Sequence, residues 1–276
     1  MREYTLINGI GEDYKLTEKK KAFLHSVSGL GYSEDMEFQS FDNRHKLLKN
    51  KKKQGEIDGT VKFWGRNALS EYRRFVRFVQ CMPLTLVYLD QSVEYRRNCY
   101  VTSVERSESD TLQCNVKLTC ITPWHRTIDV MTVAGVEAGG KSYNYKYDYT
   151  YKSTPNNSVI INSDTYIRSP AKLTIYGPMT NPSWTHYVNN IEVGRGKVYG
   201  TIPEGSRLVI STEVIPYTIE MYDSNDQLVA DMYQGSDFST ERFIALEFGE
   251  NKVVVGDDGS NVVNIKMEAM LEYASV

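Results

Sequence analysis

The chain has 276 residues, of which 24% are charged and 41% hydrophobic, with a formal net charge of −3. Its length exceeds that of a usual single domain, so two domains are expected, and the slightly acidic balance speaks against a protein built to grip nucleic acid, which presents a basic surface. No run approaches the ~20 apolar residues of a membrane span. The opening residues, Met1-Arg2-Glu3-Tyr4-Thr5-Leu6-Ile7, hold no apolar signal core, so synthesis in the cytoplasm without export by that route is expected.

Twenty tyrosines stand out. Tyrosine suits strands with one wet face, because its ring is apolar and its hydroxyl tolerates water. The four cysteines, Cys81, Cys99, Cys114 and Cys120, form no C-x-x-C pair and the four histidines are scattered. No metal site or cofactor is therefore expected.

In chain order, strands are predicted at 4–7 and 22–27, the second closed by Gly29-Leu30-Gly31. A charged stretch over 44–53, with Lys51-Lys52-Lys53, reads as a solvated loop. An alternating, glycine-punctuated strand follows at 55–64. Over 67–80 the apolar residues Leu69, Tyr72, Phe75, Val76 and Val79 fall at helical spacing opposite an arginine-rich face, with Asn67 placed as N-cap and Pro83 beyond the end. Strands resume at 84–89, 98–106 and 111–121, the last two as a hairpin. In the last of them Cys114, Val116, Leu118 and Cys120 share one face, as small buried apolar groups would.

Residues 134–142 are small and glycine-rich, a natural linker. Beyond it Tyr143, Tyr145, Tyr147, Tyr149 and Tyr151 alternate with polar residues in strict period two. Further strands are predicted at 172–176, 197–201, 207–212, 217–222, 228–233, 243–248, 252–255 and 262–273, with turns at Asp223-Ser224-Asn225-Asp226 and Asp257-Asp258-Gly259. This spacing of short strands indicates a β-sandwich.

Catalytic signatures are missing. Gly9-Ile10-Gly11 and Gly29-Leu30-Gly31 lack the third glycine and following helix of a dinucleotide loop. No phosphate-binding G-x-x-x-x-G-K and no nucleophile elbow occurs. Asp223, Asn225 and Gln227 begin like a calcium loop but lack its glycine and terminal glutamate. Asn156-Asn157-Ser158 matches a glycosylation sequon that an unexported chain would not use. No enzymatic activity is expected. Trp184, His186 and Tyr187 could form a sugar-stacking platform; the alternative is that alternate residues of their strand face the core.

Several segments resemble a known family. Leu112-Gln113-Cys114-Asn115-Val116-Lys117-Leu118-Thr119-Cys120-Ile121 running into Thr122-Pro123-Trp124 is similar to the end of the N-terminal domain in phage distal tail proteins, with His125 where an aromatic is usual. Ser28-Gly29-Leu30-Gly31-Tyr32 resembles that family's glycine corner. Leu173-Thr174-Ile175-Tyr176-Gly177-Pro178-Met179-Thr180-Asn181-Pro182 resembles its Gly-Pro-x-x-Asn-Pro turn. Residues 202–210 and 239–251 resemble its later turn and hairpin, with Ser206 replacing the usual Asp.

The resemblance implies a mainly β protein. An N-terminal ring-forming domain (1–133), a β-sandwich or split barrel with one helix, would be followed by the linker (134–142) and a C-terminal galectin-like β-sandwich (143–276). It implies a homo-hexamer at the virion tail tip. The hexamer would join the tail tube protein to a tail-associated protein, the tail-fibre or tape-measure end of the tail, and could also carry a receptor-binding protein, with no membrane or specific nucleic-acid partner. The competing reading is a carbohydrate-binding module contributing to host-surface recognition.

Overall fold

The computed structural model describes residues 3–18, 20–108, 111–132, 157–259 and 264–276. The chain divides into two compact units, Met1–Arg126 with Tyr273–Val276, and Thr127–Glu272. The expected linker and the tyrosine-alternating strand at 143–151 lie outside the described residues.

The first unit is built from β1 (Glu3–Ile7), β2 (Asp13–Lys15), β3 (Ala22–Ser28), β4 (Glu34–Phe41), β5 (Arg44–Lys52), β6 (Glu56–Phe63), α1 (Ala68–Val79), β7 (Leu84–Asp90), β8 (Val93–Glu108), β9 (Leu112–Cys120) and the start of β10 (Trp124–Thr132). Antiparallel pairing orders seven of these as β2-β1-β7-β8-β9-β6-β3. The two end strands approach at one point, where the Leu24 amide donates to the Leu16 carbonyl at 3.5 Å. They do not zip together, so the sheet is curled and open. The split-barrel form expected as one option is not closed into a barrel.

Alternation explains the core. Tyr4 and Leu6, Ile57, Val61 and Phe63, and Cys114, Val116, Leu118 and Cys120 all turn inward on their strands. The amphipathic helix lays Phe75, Phe78 and Val79 on the sheet. Each such side chain contributes about 1.5–3 kcal/mol when fully buried. Leu69, placed on the apolar stripe from sequence, is 42% exposed, and Phe78 occupies the inward position instead. Asn67 is the N-cap residue, yet its side chain makes no capping hydrogen bond.

The second unit contains β11 (Ser158–Ser163), β12 (Ser169–Tyr176), β13 (Met179–Thr180), β14 (Ser183–Val188), β15 (Ile191–Lys197), β16 (Thr201–Ile202), β17 (Arg207–Ser211), β18 (Thr218–Tyr222), β19 (Leu228–Asp231), β20 (Ala245–Leu246), β21 (Gly249–Gly256) and most of β22 (Ile265–Tyr273). One sheet runs β19-β18-β17-β12-β22 and continues into β10; the other runs β11-β21-β14-β15. Leu173 and Ile175, Leu208 and Ile210, and Ile265, Met267, Ala269 and Leu271 are buried from the first sheet, and Val159, Ile161, Trp184, Val253 and Val255 from the second. This alternation from two sheets is the pattern of a β-sandwich. The strand expected at 243–248 shrinks to the two residues of β20, and the one expected at 197–201 is replaced by the end of β15 and the short β16.

Candidate assembly surfaces

The clearest departure from the sequence reading is at 44–53. This stretch is not a loop. Arg44–Lys52 is β5, paired antiparallel with β4 to form a separate two-stranded sheet. Lys51 and Lys52 belong to the strand, and only Lys53 follows it, bonded to Asp35 at 2.7 Å. Apart from the half-buried Glu34, every residue of both strands is exposed.

The register sorts the ribbon's two faces, because cross-strand partners point the same way. Met36↔Asn50 and Phe38↔Leu47 share one face; Asp35↔Lys51 and Glu37↔Lys49 share the other. A register shift between Glu37 and Phe38 leaves Leu48 bulged. Met36, Phe38, Phe41, Leu47 and Leu48 are 51%, 54%, 51%, 47% and 53% exposed. An isolated two-stranded ribbon is marginal in water, and one with an open apolar face is an interaction surface. Covering the remaining area of these five side chains would contribute about 1 kcal/mol each.

The motif residues of the first unit form one corner. Gly29 has φ +85°, and a Cβ there would overlap the Glu56 carbonyl oxygen, so only glycine fits. Leu30 packs on the core, and its carbonyl accepts the indole N–H of fully buried Trp124 at 3.0 Å. Thr122 accepts the Asn98 amide on its hydroxyl and Arg97 Nε on its carbonyl, both at 2.9 Å. The Arg97 guanidinium lies 5.6 Å from the Trp124 ring centre. The Pro123 carbonyl is 3.3 Å from His125 Nδ1. Gly31 is open to substitution, with nothing near its Cβ direction. Two segments 94 residues apart in sequence are thus tied by one hydrogen bond.

A second corner lies in the other unit. The Gly177–Pro178 peptide is cis, and a Cβ on Gly177 would overlap the Pro203 carbonyl. Asn181, at φ +48°, donates to Asp258 at 2.7 Å and accepts the Gly200 amide at 2.9 Å. The Pro182 carbonyl accepts the Val198 amide at 2.9 Å. Asp258 also pairs with Lys197 at 2.8 Å, and these bonds hold its carboxyl below the usual range, the lysine first. Both motif sets fix corners of the fold.

The sugar platform is not formed. Trp184 is 2% and His186 4% exposed. The Trp184 indole donates to the Arg242 carbonyl at 2.8 Å, and His186 Nε2 meets Asn251 Oδ1 at 3.2 Å. Burial pushes the His186 pKa down. Alternation turns half-buried Tyr187 to the opposite face, so the three side chains share no exposed surface.

The cysteines are free thiols. Burial pushes Cys99 and Cys114 up to about 12, and raises Cys120 as well. Among the described residues no group of three His, Cys, Asp or Glu side chains could hold a metal ion, and no helix is long and apolar enough to cross a membrane.

Charge divides between the units. Met1–Arg126 with Tyr273–Val276 carries 21 Lys and Arg against 16 Asp and Glu, a net +5; Thr127–Glu272 carries 11 against 19, a net −8. The whole-chain figure averages two opposite bodies, so it cannot by itself exclude an acidic partner for the first. In that unit an open basin of about 610 Å³ is lined by Tyr14, Lys15, Lys20, Lys21, Trp64 and Arg74, among others.

A mainly β chain with such corners and an exposed apolar ribbon has the make-up of an assembling protein. Residues 3–121 match the family described as distal tail protein, N-terminal domain. Two solved structures share the fold over essentially the whole chain. One is a chain of the phage p2 baseplate in its activated conformation with strontium, at 14% identity, covering 100% of both chains with a TM-score of 0.61. The other is the Dit protein of phage SPP1, described as a paradigm of hub adsorption apparatus in Gram-positive infecting phages. It is 9% identical, with 98% of this chain and 99% of that one covered and a TM-score of 0.64. No curated protein matches the sequence. Residues 3–121 thus carry the N-terminal domain described for distal tail proteins, and the chain as a whole shares its fold with these two phage proteins.

Proposed function

We propose that this chain closes into a homo-hexameric ring at the virion tail tip, assembled in the host cytoplasm. In this reading the ring joins the tail tube protein to the tail-associated protein, carries a receptor-binding protein at its side, and catalyses nothing. The first unit makes the ring contacts. The domain from 143 onward, a galectin-like sandwich preceded by the linker at 134–142, is peripheral. The family match over residues 3–121 supports the hub role, and the observation that carries ring formation is the β4–β5 ribbon. Among the described residues nothing covers its apolar face, and a heterologous contact that repeats by rotation closes a ring without leaving that face wet. Contacts between neighbours should bury more than ~1,000 Å².

The test is light scattering of the full chain at micromolar concentration beside a Met36→Ser, Phe38→Ser, Leu47→Ser variant. The intact chain should show a mass near six or twelve subunits. The variant should melt within a few degrees of the parent, because its changes are on the surface, yet run as a monomer. A parent that stays monomeric at high concentration refutes ring closure by this chain alone, and a variant that assembles normally refutes the ribbon's part in it.

A further inference from the structure

The second unit holds a buried cation for which the described residues show no hydrogen bond or ion pair. Arg242 is 9% exposed. Its guanidinium carbon lies 4.1 Å from the Phe238 ring centre, 4.8 Å from Tyr233 and 5.2 Å from Phe243. Its Nε is sealed from solvent and hydrogen-bonded to nothing. Among the described residues no carboxylate comes within ion-pair distance of it. The nearby Asp237 is held below the usual carboxylate range first by the Ser239 amide at 2.8 Å and more weakly by the Arg242 charge, without forming an ion pair with it.

The rings around it form a connected array. Tyr217 meets Phe243 at 5.1 Å, Phe243 meets Tyr233 at 6.1 Å, and Tyr233 meets Phe238 at 5.5 Å. Phe238 is 55% exposed and Tyr217 43%, and Ile215, two residues before Tyr217, is 90% exposed. Exposed aromatics around a sunken arginine are the composition of a binding hot spot.

We propose that this aromatic patch is a docking surface for a protein segment that brings an Asp or Glu carboxylate, flanked by apolar side chains, onto Arg242. Charge complementarity selects the occupant. Ring faces attract a cation but cannot accept its N–H groups in the plane of the guanidinium, so the terminal nitrogens are left for an acceptor that the described residues do not supply. The body around them, residues 127–272, is net −8, and repels an acidic partner elsewhere. The arginine therefore decides where the carboxylate lands. Ile215, Tyr217 and Phe238 offer apolar area and no convergent hydrogen-bonding groups, which suits apolar side chains better than the hydroxyls of an acidic sugar.

The experiment uses the full chain immobilised for surface plasmon resonance. The probes are the peptide acetyl-Phe-Glu-Leu-amide, its acetyl-Phe-Gln-Leu-amide counterpart, and glucuronate. The glutamate peptide should bind saturably, and about tenfold more tightly than the glutamine peptide. Arg242→Gln should remove that preference. Phe238→Ala, a change at an exposed ring, should weaken the glutamate peptide while leaving the melting temperature in place, which keeps the test decisive if Arg242→Gln misfolds. No saturable binding, equal binding of the two peptides, or an unchanged preference in a folded Arg242→Gln chain overturns the proposal. Glucuronate binding as tightly as the glutamate peptide overturns the assignment to a protein partner. None of these outcomes depends on whether the chain forms a ring.

Discussion

Replacing Trp124 with phenylalanine isolates the bond that joins the two motif segments of the first unit. The substitution keeps an aromatic in a fully buried site but removes the indole N–H that reaches the Leu30 carbonyl at 3.0 Å. A carbonyl left without its donor inside the fold costs about 1 kcal/mol or somewhat more. The missing part of the ring leaves about 40 Å³ unfilled, which at ~24 cal/mol per Å³ adds about 1 kcal/mol. Lost apolar transfer contributes about another 1 kcal/mol. The sum, about 3 kcal/mol, corresponds to a fall of about 10 °C in the melting temperature of a unit this size. Calorimetry of the full chain gives the shift, and amide exchange locates it. Protection should drop across the first unit, most of all around Gly29 and Leu30, and hold across residues 157–259. A fall below about 3 °C, or a loss of protection spread evenly over both units, would show that this corner does not secure the first unit.

Further outcomes can be checked with the same chain. Gly29→Ala should destabilise the first unit by at least about 2 kcal/mol, since it forces a side chain onto a left-handed backbone and into the Glu56 carbonyl; unchanged urea unfolding would contradict this. Under native conditions at pH 8, iodoacetamide should label the half-buried Cys81 well before Cys99 or Cys114, whose thiols ionise only at about 12. Because those two pKa values rise on folding above the ordinary 9.0, their contribution to stability is whole below pH 9 and is lost as pH climbs towards 12; a flat alkaline profile would count against it. Burial lowers the pKa of His125 and His186 from 6.5, so the stability they contribute is present above pH 6.5 and fades as pH falls below it, with a shallower acid slope in a His186→Gln chain. Replacing Lys51, Lys52 and Lys53 with serine should shift stability by no more than ~0.5 kcal/mol, measured by chemical denaturation.

The sequence made legible those elements whose pattern reports a local partner. In β9, Cys114, Val116, Leu118 and Cys120 alternate because one sheet face is dry, and all four are buried. The helix was legible because its stripe repeats at helical spacing. The ribbon was not, because β5 is a run of Lys and Asn with its apolar residues adjacent at Leu47 and Leu48, and its strand state comes from pairing with β4 rather than from propensity. Trp184 and His186 show a different limit. Alternation states that two faces differ, but it does not say which one a second sheet will cover. The aromatic patch was illegible for the opposite reason: Tyr217, Tyr233, Phe238, Arg242 and Phe243 come from separate turns and strand ends, and only the sandwich gathers them.

Two of the three tryptophans, Trp124 and Trp184, show how the chain builds stability at its corners rather than along its strands alone. Each is buried, and each sends its one polar atom to the carbonyl of a distant segment: Trp124 to Leu30, and Trp184 to Arg242. In both cases an arginine is part of the corner, Arg97 stacked near the Trp124 ring and Arg242 receiving the Trp184 bond on its backbone. The two arginines differ in what remains of their side chains. Arg97 Nε is bonded to the Thr122 carbonyl, which ties that side chain to the corner, although its buried Nη1 has no acceptor. Arg242 gives the corner only its carbonyl, and its guanidinium sits among rings with no acceptor among the described residues. A residue needed only for the Trp184 bond could be any amino acid, since every residue has that carbonyl. A buried arginine at this position carries a desolvation cost that the corner does not require, and a carboxylate arriving at the proposed docking surface would offset it.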